Sequence, residues 1–170
     1  MEKFDVLNIN GELTGIVANK GDALKDGQYY LGAHVYIYNT QNEFLLQQRS
    51  LSKDFLPGGW DITMGHIVAG ETSKAGIMRE VQEEIGLSCQ NNDVRFVGRV
   101  IWEFYHHMID IYFLQTAFNM TELSLKKDEV IGVKSIFATD MLTLVSKMDY
   151  RPDEYRQIVS SEIKKLIFSA

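Results

Sequence analysis

The sequence predicts an α/β fold of the α+β kind, with helices packed on a mixed β-sheet, and three observations point there. Several alternating segments are joined by short, turn-rich connections, which is hairpin chemistry. One strongly helical segment lies mid-chain and two more lie at the end, so strands and helices interleave without the regular alternation of a doubly wound parallel sheet. A length of 170 residues, 45% hydrophobic and with two prolines, suits one core and a single domain over 1–170.

In chain order, Phe4 to Leu7 and Leu13 to Val17 flank Asn8-Ile9-Asn10-Gly11. Asn-Gly tolerates the positive φ of a tight turn, so an N-terminal β-hairpin is expected. Ala33 to Tyr38 alternates and is β-branched or aromatic; Asn39 to Asn42 is turn chemistry, and Glu43 to Arg49 reads as the return strand. After a loop holding Pro57-Gly58-Gly59, a short strand is expected around Asp61 to Met64. Ser73 to Ile85 has helical periodicity, with Thr72 placed to cap its start and Gly86 its end. Val94 to Phe104 and Met108 to Ala117 alternate on either side of His106-His107 and predict a long hairpin. Glu129 to Phe137 adds a strand, and Asp140 to Met148 and Asp153 to Phe168 read as helices, with Pro152 near the first turn of the latter.

Seventeen basic residues against 23 acidic ones give a formal charge of −6, without the basic excess that binding a phosphate polymer requires. Polymeric nucleic acid is therefore not the expected partner. One cysteine, Cys89, forms no internal disulfide framework and fits a reducing compartment. The first residues lack a basic and an apolar signal region, and no run approaches the roughly 18–20 apolar residues of a bilayer span. A soluble, cytoplasmic protein without membrane attachment is expected; its exposed aromatics and N-terminal hairpin are compatible with a homodimer.

The chemistry concentrates on the central helix. At roughly 100° per residue, Glu83 and Glu84 fall about 60° and 40° to either side of Glu80, so three carboxylates share one face beside an apolar stripe of Ile77, Val81 and Ile85. Crowded like charges destabilise a helix unless compensated. Arg79 stands one turn from Glu83 and offers a planar fork that can neutralise and orient one carboxylate. The charge that remains suits a hard divalent cation, since Mg²⁺ is held by a few carboxylates, water and substrate phosphates. Glu71 can add an oxygen from just before the helix, and Gly65 and Gly70 bracket a loop where backbone can approach an ion closely.

From Gly65 to Leu87 the residues read Gly-x5-Glu-x7-Arg-Glu-Val-x-Glu-Glu-x-Gly-Leu, which resembles the complete signature of the Nudix hydrolases. The resemblance implies an α/β/α sandwich around a mixed sheet, and Mg²⁺- or Mn²⁺-dependent attack of water on a diphosphate linkage. It implies Glu80, Glu83, Glu84 and the main-chain carbonyl of Gly65 as metal ligands. It likewise implies a catalytic set of Glu83, Glu84, Arg79 and Glu71, with Arg79 as orienting partner and Glu71 as auxiliary acid. Asp128 and Glu129, before the last strand, are further candidates for the general base.

Upstream, Leu45 to Ser50 and Lys53-Asp54-x-x-Pro57-Gly58-x-Trp60-Asp61 are similar to the branch related to isopentenyl-diphosphate isomerase. In that branch an arginine and a lysine four residues apart hold the substrate diphosphate, and Arg49 and Lys53 match the spacing. The alternatives to a hydrolase are thus an isomerase-like enzyme and a non-catalytic module that binds a diphosphate ligand. The isomerases protonate an alkene with a cysteine before a Gly-His pair, where this chain has Met64 before Gly65-His66, and a thioether has no proton to give. His66 matches one histidine of the isomerase metal site, whereas His34, in an alternating strand, reads as structural. The expected substrate is a small-molecule diphosphate such as a nucleoside diphosphate derivative. Trp60, Trp102, Phe104, Tyr105 and Tyr30 are the aromatic candidates to stack on a base, with Trp60 grouped with Arg49 and Lys53 as substrate-binding. Arg95, Arg99 and Arg151 have no partner assignable from the sequence.

Overall fold

The N-terminal hairpin forms as its turn requires: β1 (Lys3–Leu7) and β2 (Leu13–Asn19) pair antiparallel, with Gly11 in the left-handed region at φ 77°. The computed structural model describes residues 2–88 and 94–168, so Cys89 lies outside the described residues.

The hub of the sheet is β3 (Tyr29–Tyr38). It runs antiparallel to β1, touches β4 (Glu43–Arg49) at Tyr38↔Phe44, and pairs antiparallel with β6 (Thr63–His66). It also pairs in parallel with β8 (His107–Gln115), from Tyr30↔His107 to Tyr38↔Gln115. Flanking pairs complete the sheet: β5 (Trp60–Asp61) and β9 (Val130–Phe137) lie along β4, and β7 (Val94–Trp102) lies along β8. The described residues thus form a nine-stranded mixed sheet.

The single strand expected around Asp61 to Met64 is in fact two. Trp60 and Asp61 pair with β4, whereas Thr63 to His66 pair with β3. The Asp61 carboxylate accepts from the Ile62 amide at 2.8 Å and holds the chain at the crossing between partners. The long hairpin bends through a 3₁₀ turn at Glu103–Tyr105, closed by His106 at φ 50°.

Because β3 is covered on both faces, its side chains read as one buried run instead of an alternation. Ala33, Val35 and Ile37 meet Ile77, Val81 and Ile85 of α1 (Ser73–Ile85). Tyr36 and Tyr38 meet α2 (Ala138–Ser146) and α3 (Asp153–Phe168) through Met141, Val145, Tyr155, Val159 and Ile163. Each such aliphatic side chain, removed from water, contributes on the order of 1.5–3 kcal/mol. The result is an α/β/α sandwich whose two cores fix α1 against one face and the start of α3 against the other.

Candidate active site

Helix α1 starts and stops where its sequence directs. The Thr72 hydroxyl accepts from the Ala75 amide at 3.3 Å, and Gly86, at φ 68°, donates to the Gln82 carbonyl. Burial of Ile77, Val81 and Ile85 then turns Glu80 and Glu84 toward β6 and β4. A chain of hydrogen bonds follows: Thr63 Oγ1 donates to Gln47 Oε1 at 2.9 Å, and Gln47 Nε2 donates to Glu84 Oε2 at 2.6 Å. Glu84 is 5% exposed and makes no ion pair among the described residues, and burial pushes its carboxyl up to about 7 against the pull of the Gln47 bond. Burial also raises Glu80, opposed by the bond from Arg79.

Arg79 gathers what surrounds it. Its Nε and Nη2 each stand 3.1 Å from a Glu71 oxygen, and Nη1 donates to Glu80 at 2.8 Å and to Glu83 at 3.4 Å. Nη2 also reaches the His66 carbonyl at 3.3 Å, tying the helix to β6. At Gly65 a Cβ would lie 2.3 Å from Glu80 Cγ, so only glycine lets strand and carboxylate come this close.

These groups border a cavity of about 360 Å³. Glu80, Glu83 and Glu84 line it together with Gly65, and so do Arg49, Lys53, Lys126 and Glu129. The segment before β9 is pinned to the end of α1: the Lys126 amide donates to the Glu84 carbonyl at 2.9 Å and the Ser124 amide to Ile85 at 3.0 Å. That anchoring delivers Glu129, which pairs with Lys53 and lies 3.7 Å from Lys126. Asp128 is outside the cavity lining, so of the two loop acids Glu129 is the one the fold brings in. Arg49 is buried; its Nε donates to the Phe55 carbonyl at 2.7 Å, and Phe55 packs edge-on against Trp102 and Tyr105 in an aromatic group that also lines the cavity.

Other expected residues are placed elsewhere. Trp60 is not in the cavity lining: its ring stacks under the Lys134 ammonium, 4.3 Å from the centroid, and against Gly132. Tyr30 packs edge-on against Phe4 beneath the N-terminal hairpin, and Phe104 points outward, 83% exposed. Glu71 pairs with Arg79 and is outside the cavity lining. The three arginines without assignable partners acquire them: Arg95 pairs with Glu162 at 2.7 Å, Arg99 with Asp110 at 2.6 Å, and Arg151 with Asp61 at 2.6 Å. His34 is buried as a structural histidine should be, yet it also borders the cavity.

With Glu80 and Glu83 turned to Arg79, no three His, Cys, Asp or Glu side chains among the described residues stand gathered as a ligand shell. The donor set nevertheless fits a hard divalent cation. Glu84 is a buried carboxylate with no cationic partner among the described residues, and Glu80, one turn away, packs against Gly65, which lines the same cavity.

An α/β/α sandwich of this form has counterparts among known proteins. The NUDIX domain profile matches residues 28–158. A Nudix hydrolase of Listeria monocytogenes, itself uncharacterised, is 32% identical over 153 residues, covering 89% of each chain. Nudix hydrolase 3 of Arabidopsis thaliana is 34% identical over 87% of this chain, which spans only 21% of that longer protein. Isopentenyl-diphosphate Delta-isomerase of Streptomyces avermitilis is 33% identical over 50% of this chain and 44% of its own. Among solved structures, a Deinococcus radiodurans protein superimposes with a TM-score of 0.70 at 16% identity, over 97% of this chain and 99% of that one. The MutT protein of Methanosarcina mazei superimposes with 0.57 at 22% identity, over 83% and 94%. The chain belongs to the Nudix family and is a Nudix hydrolase, an enzyme of the class that cleaves diphosphate linkages in small molecules, generally with a divalent metal. No helix among the described residues is long and apolar enough to cross a membrane.

Proposed function

We propose that the chain, as one Nudix domain over 1–170, hydrolyses the diphosphate of a nucleoside diphosphate derivative or related small molecule. Mg²⁺ or Mn²⁺ would be held by Glu80, Glu83, Glu84 and the Gly65 carbonyl. The observation that carries this reading is Glu84: a buried carboxylate of raised pKa in a cavity that Arg49, Lys53 and Lys126 also line. A divalent ion there would neutralise the diphosphate charge and acidify the attacking water.

The residues of the chain divide the remaining work. Arg49, Lys53 and Lys126, which line the cavity, would bind phosphate oxygens, their charge offsetting that of the substrate. Arg79 and Glu71 are positioning residues, because they fix Glu80 and Glu83 without reaching the substrate. Glu83 and Glu84 are the helix carboxylates placed to take the proton from water; Glu129 is the loop carboxylate within the same cavity. Phe55, Trp102 and Tyr105 form the apolar end that receives the organic group.

Met64 lines the cavity where an isomerase would need an acid, which supports hydrolysis over alkene protonation. The acidic balance of the chain and its single cysteine support a cytoplasmic enzyme of small molecules. Leu13 and Val17, exposed on one face of β2, are apolar side chains a homodimer would cover. The test is phosphate or nucleotide release from a broad diphosphate panel with Mg²⁺ and with Mn²⁺, for wild type, Glu80→Gln and Glu84→Gln. Metal-dependent release, lost in both variants while the fold persists, is expected. Retained activity in both would reject the site, and conversion of isopentenyl to dimethylallyl diphosphate at an enzymatic rate would replace hydrolase with isomerase.

A further inference from the structure

The sheet floor of the cavity is built from Gly32 and His34 of β3 with their strand neighbours Ile109 and Met64. His34 is 4% exposed, so a polar atom it leaves unpaired must be matched by whatever enters. One of its nitrogens is fully committed. Arg151 Nη1 stands 2.6 Å from His34 Nδ1, and the Tyr155 hydroxyl stands 2.9 Å from it. A guanidinium has donors and no acceptor, so Nδ1 must offer its lone pair and cannot carry a proton.

Arg151 cannot turn away. Its Nη2 lies 2.7 and 2.6 Å from the two oxygens of Asp61, and both side chains are fully buried. Tyr155 stacks against the guanidinium and is itself 3.0 Å from the Tyr36 hydroxyl. The imidazole is thereby held neutral with its proton on Nε2. Among the described residues Nε2 has no hydrogen-bond partner, and it is not sealed from the cavity.

We propose that His34 Nε2–H is a fixed donor to an acceptor atom on the non-phosphate group of the substrate, and that Arg151 is the positioning residue that sets this tautomer. The inference rests on the cavity being the substrate site. It narrows the organic group to one with a ring nitrogen, carbonyl or hydroxyl oxygen within reach of the floor, such as a base or sugar. A plain hydrocarbon chain would leave the donor unpaired, and an unmatched buried donor discriminates by about ten- to hundredfold.

The experiment has a spectroscopic and a kinetic arm. Long-range ¹H–¹⁵N spectra of the histidine rings, with His34 assigned by its absence in His34→Asn, should show a protonated Nε2 and a bare Nδ1 in the wild type. A protonated Nδ1, or exchange between tautomers, would overturn the proposal. His34→Asn keeps an acceptor near the Nδ1 position for Arg151, while its shorter amide leaves no donor at the position of Nε2. With the best organic diphosphate of the panel, this variant should raise KM about ten- to hundredfold with kcat within about threefold. Its affinity for inorganic pyrophosphate should be unchanged. An unchanged KM refutes the donor role, and a parallel loss of pyrophosphate affinity marks His34 as merely structural and refutes it too. If the wild type cleaves nothing, the hydrolase reading fails separately. The donor role is then decided by titrating nucleoside diphosphates with Mg²⁺: movement of the His34 Nε2 proton supports it, and no movement with any of them refutes it.

Discussion

The Gln47 amide nitrogen donates to Glu84 across 2.6 Å, and this neutral contact is the only hydrogen bond to the Glu84 carboxylate among the described residues. Burial raises that carboxyl from 4.5 to about 7. Between those values the unfolded chain has released a proton that the fold retains. The fold therefore loses relative stability as pH rises through this window, and the full cost stands above about pH 7. A bound cation would recover it. Mg²⁺ should raise the melting temperature more at about pH 8 than at about pH 6. Glu84→Gln should be more stable than wild type without ion, respond little to Mg²⁺, and lose about a hundredfold or more in turnover. Thermal melts across pH with and without Mg²⁺ check this; equal gains at both pH values would count against it.

Gly65→Ala should act through Glu80. The added Cβ would fall 2.3 Å from Cγ and 2.4 Å from Cδ of that side chain, so Glu80 must swing away or β6 must shift. We expect a turnover loss of about tenfold or more and a higher Mg²⁺ requirement, with a melting temperature lowered by only about a few degrees. The Mg²⁺ dependence of the rate is the decisive measurement, and an unchanged Mg²⁺ requirement would show that Glu80 does not hold the ion.

The part of the site legible in the sequence is the part carried by one local element. Thr72, Gly86 and the carboxylates of α1 follow from helical periodicity and capping, which depend only on near neighbours. What escaped is long-range. Arg151 reaches Asp61 across 90 positions, and no local pattern connects them. Phe55 enters the cavity because Arg49 binds its carbonyl, a loop contact without periodicity. Of the five aromatic candidates, Trp102 and Tyr105 do line the cavity, whereas a one-strand reading of Asp61 to Met64 hid the switch that turns Trp60 to Lys134.

Arg151 and Asp61 form an ion pair with both side chains fully buried, so truncating one partner strands the other. Arg151→Met should cost about 3–5 kcal/mol of folding free energy. Adding Asp61→Asn should recover part of that loss, since it removes the uncompensated charge. Urea denaturation of the two variants, with slopes compared to confirm the same unfolding transition, checks the expectation. If the double variant is no more stable than Arg151→Met, the penalty lies in packing around the guanidinium and not in the stranded carboxylate.

His34 should leave its mark on the acid side of the stability profile. Burial, and then the Arg151 charge, hold its pKa well below 6.5, whereas the unfolded chain titrates near that value. The unfolded state therefore binds the proton first. Stability from this residue is complete above about pH 6.5 and declines as pH falls, by up to about 1.4 kcal/mol per unit. Burial lowers His66 to about 4 and lowers His107 as well, so they slope in the same direction. Glu80 and Glu84 oppose them, because carboxyls of raised pKa favour the fold in acid. His34→Asn cannot take up a proton, yet it retains an acceptor for Arg151. Its stability, measured by urea denaturation between about pH 5 and pH 7, should fall less steeply than that of the wild type and meet a parallel curve above about pH 7. Identical slopes in the two proteins would mean that His34 is not held neutral by its buried neighbours.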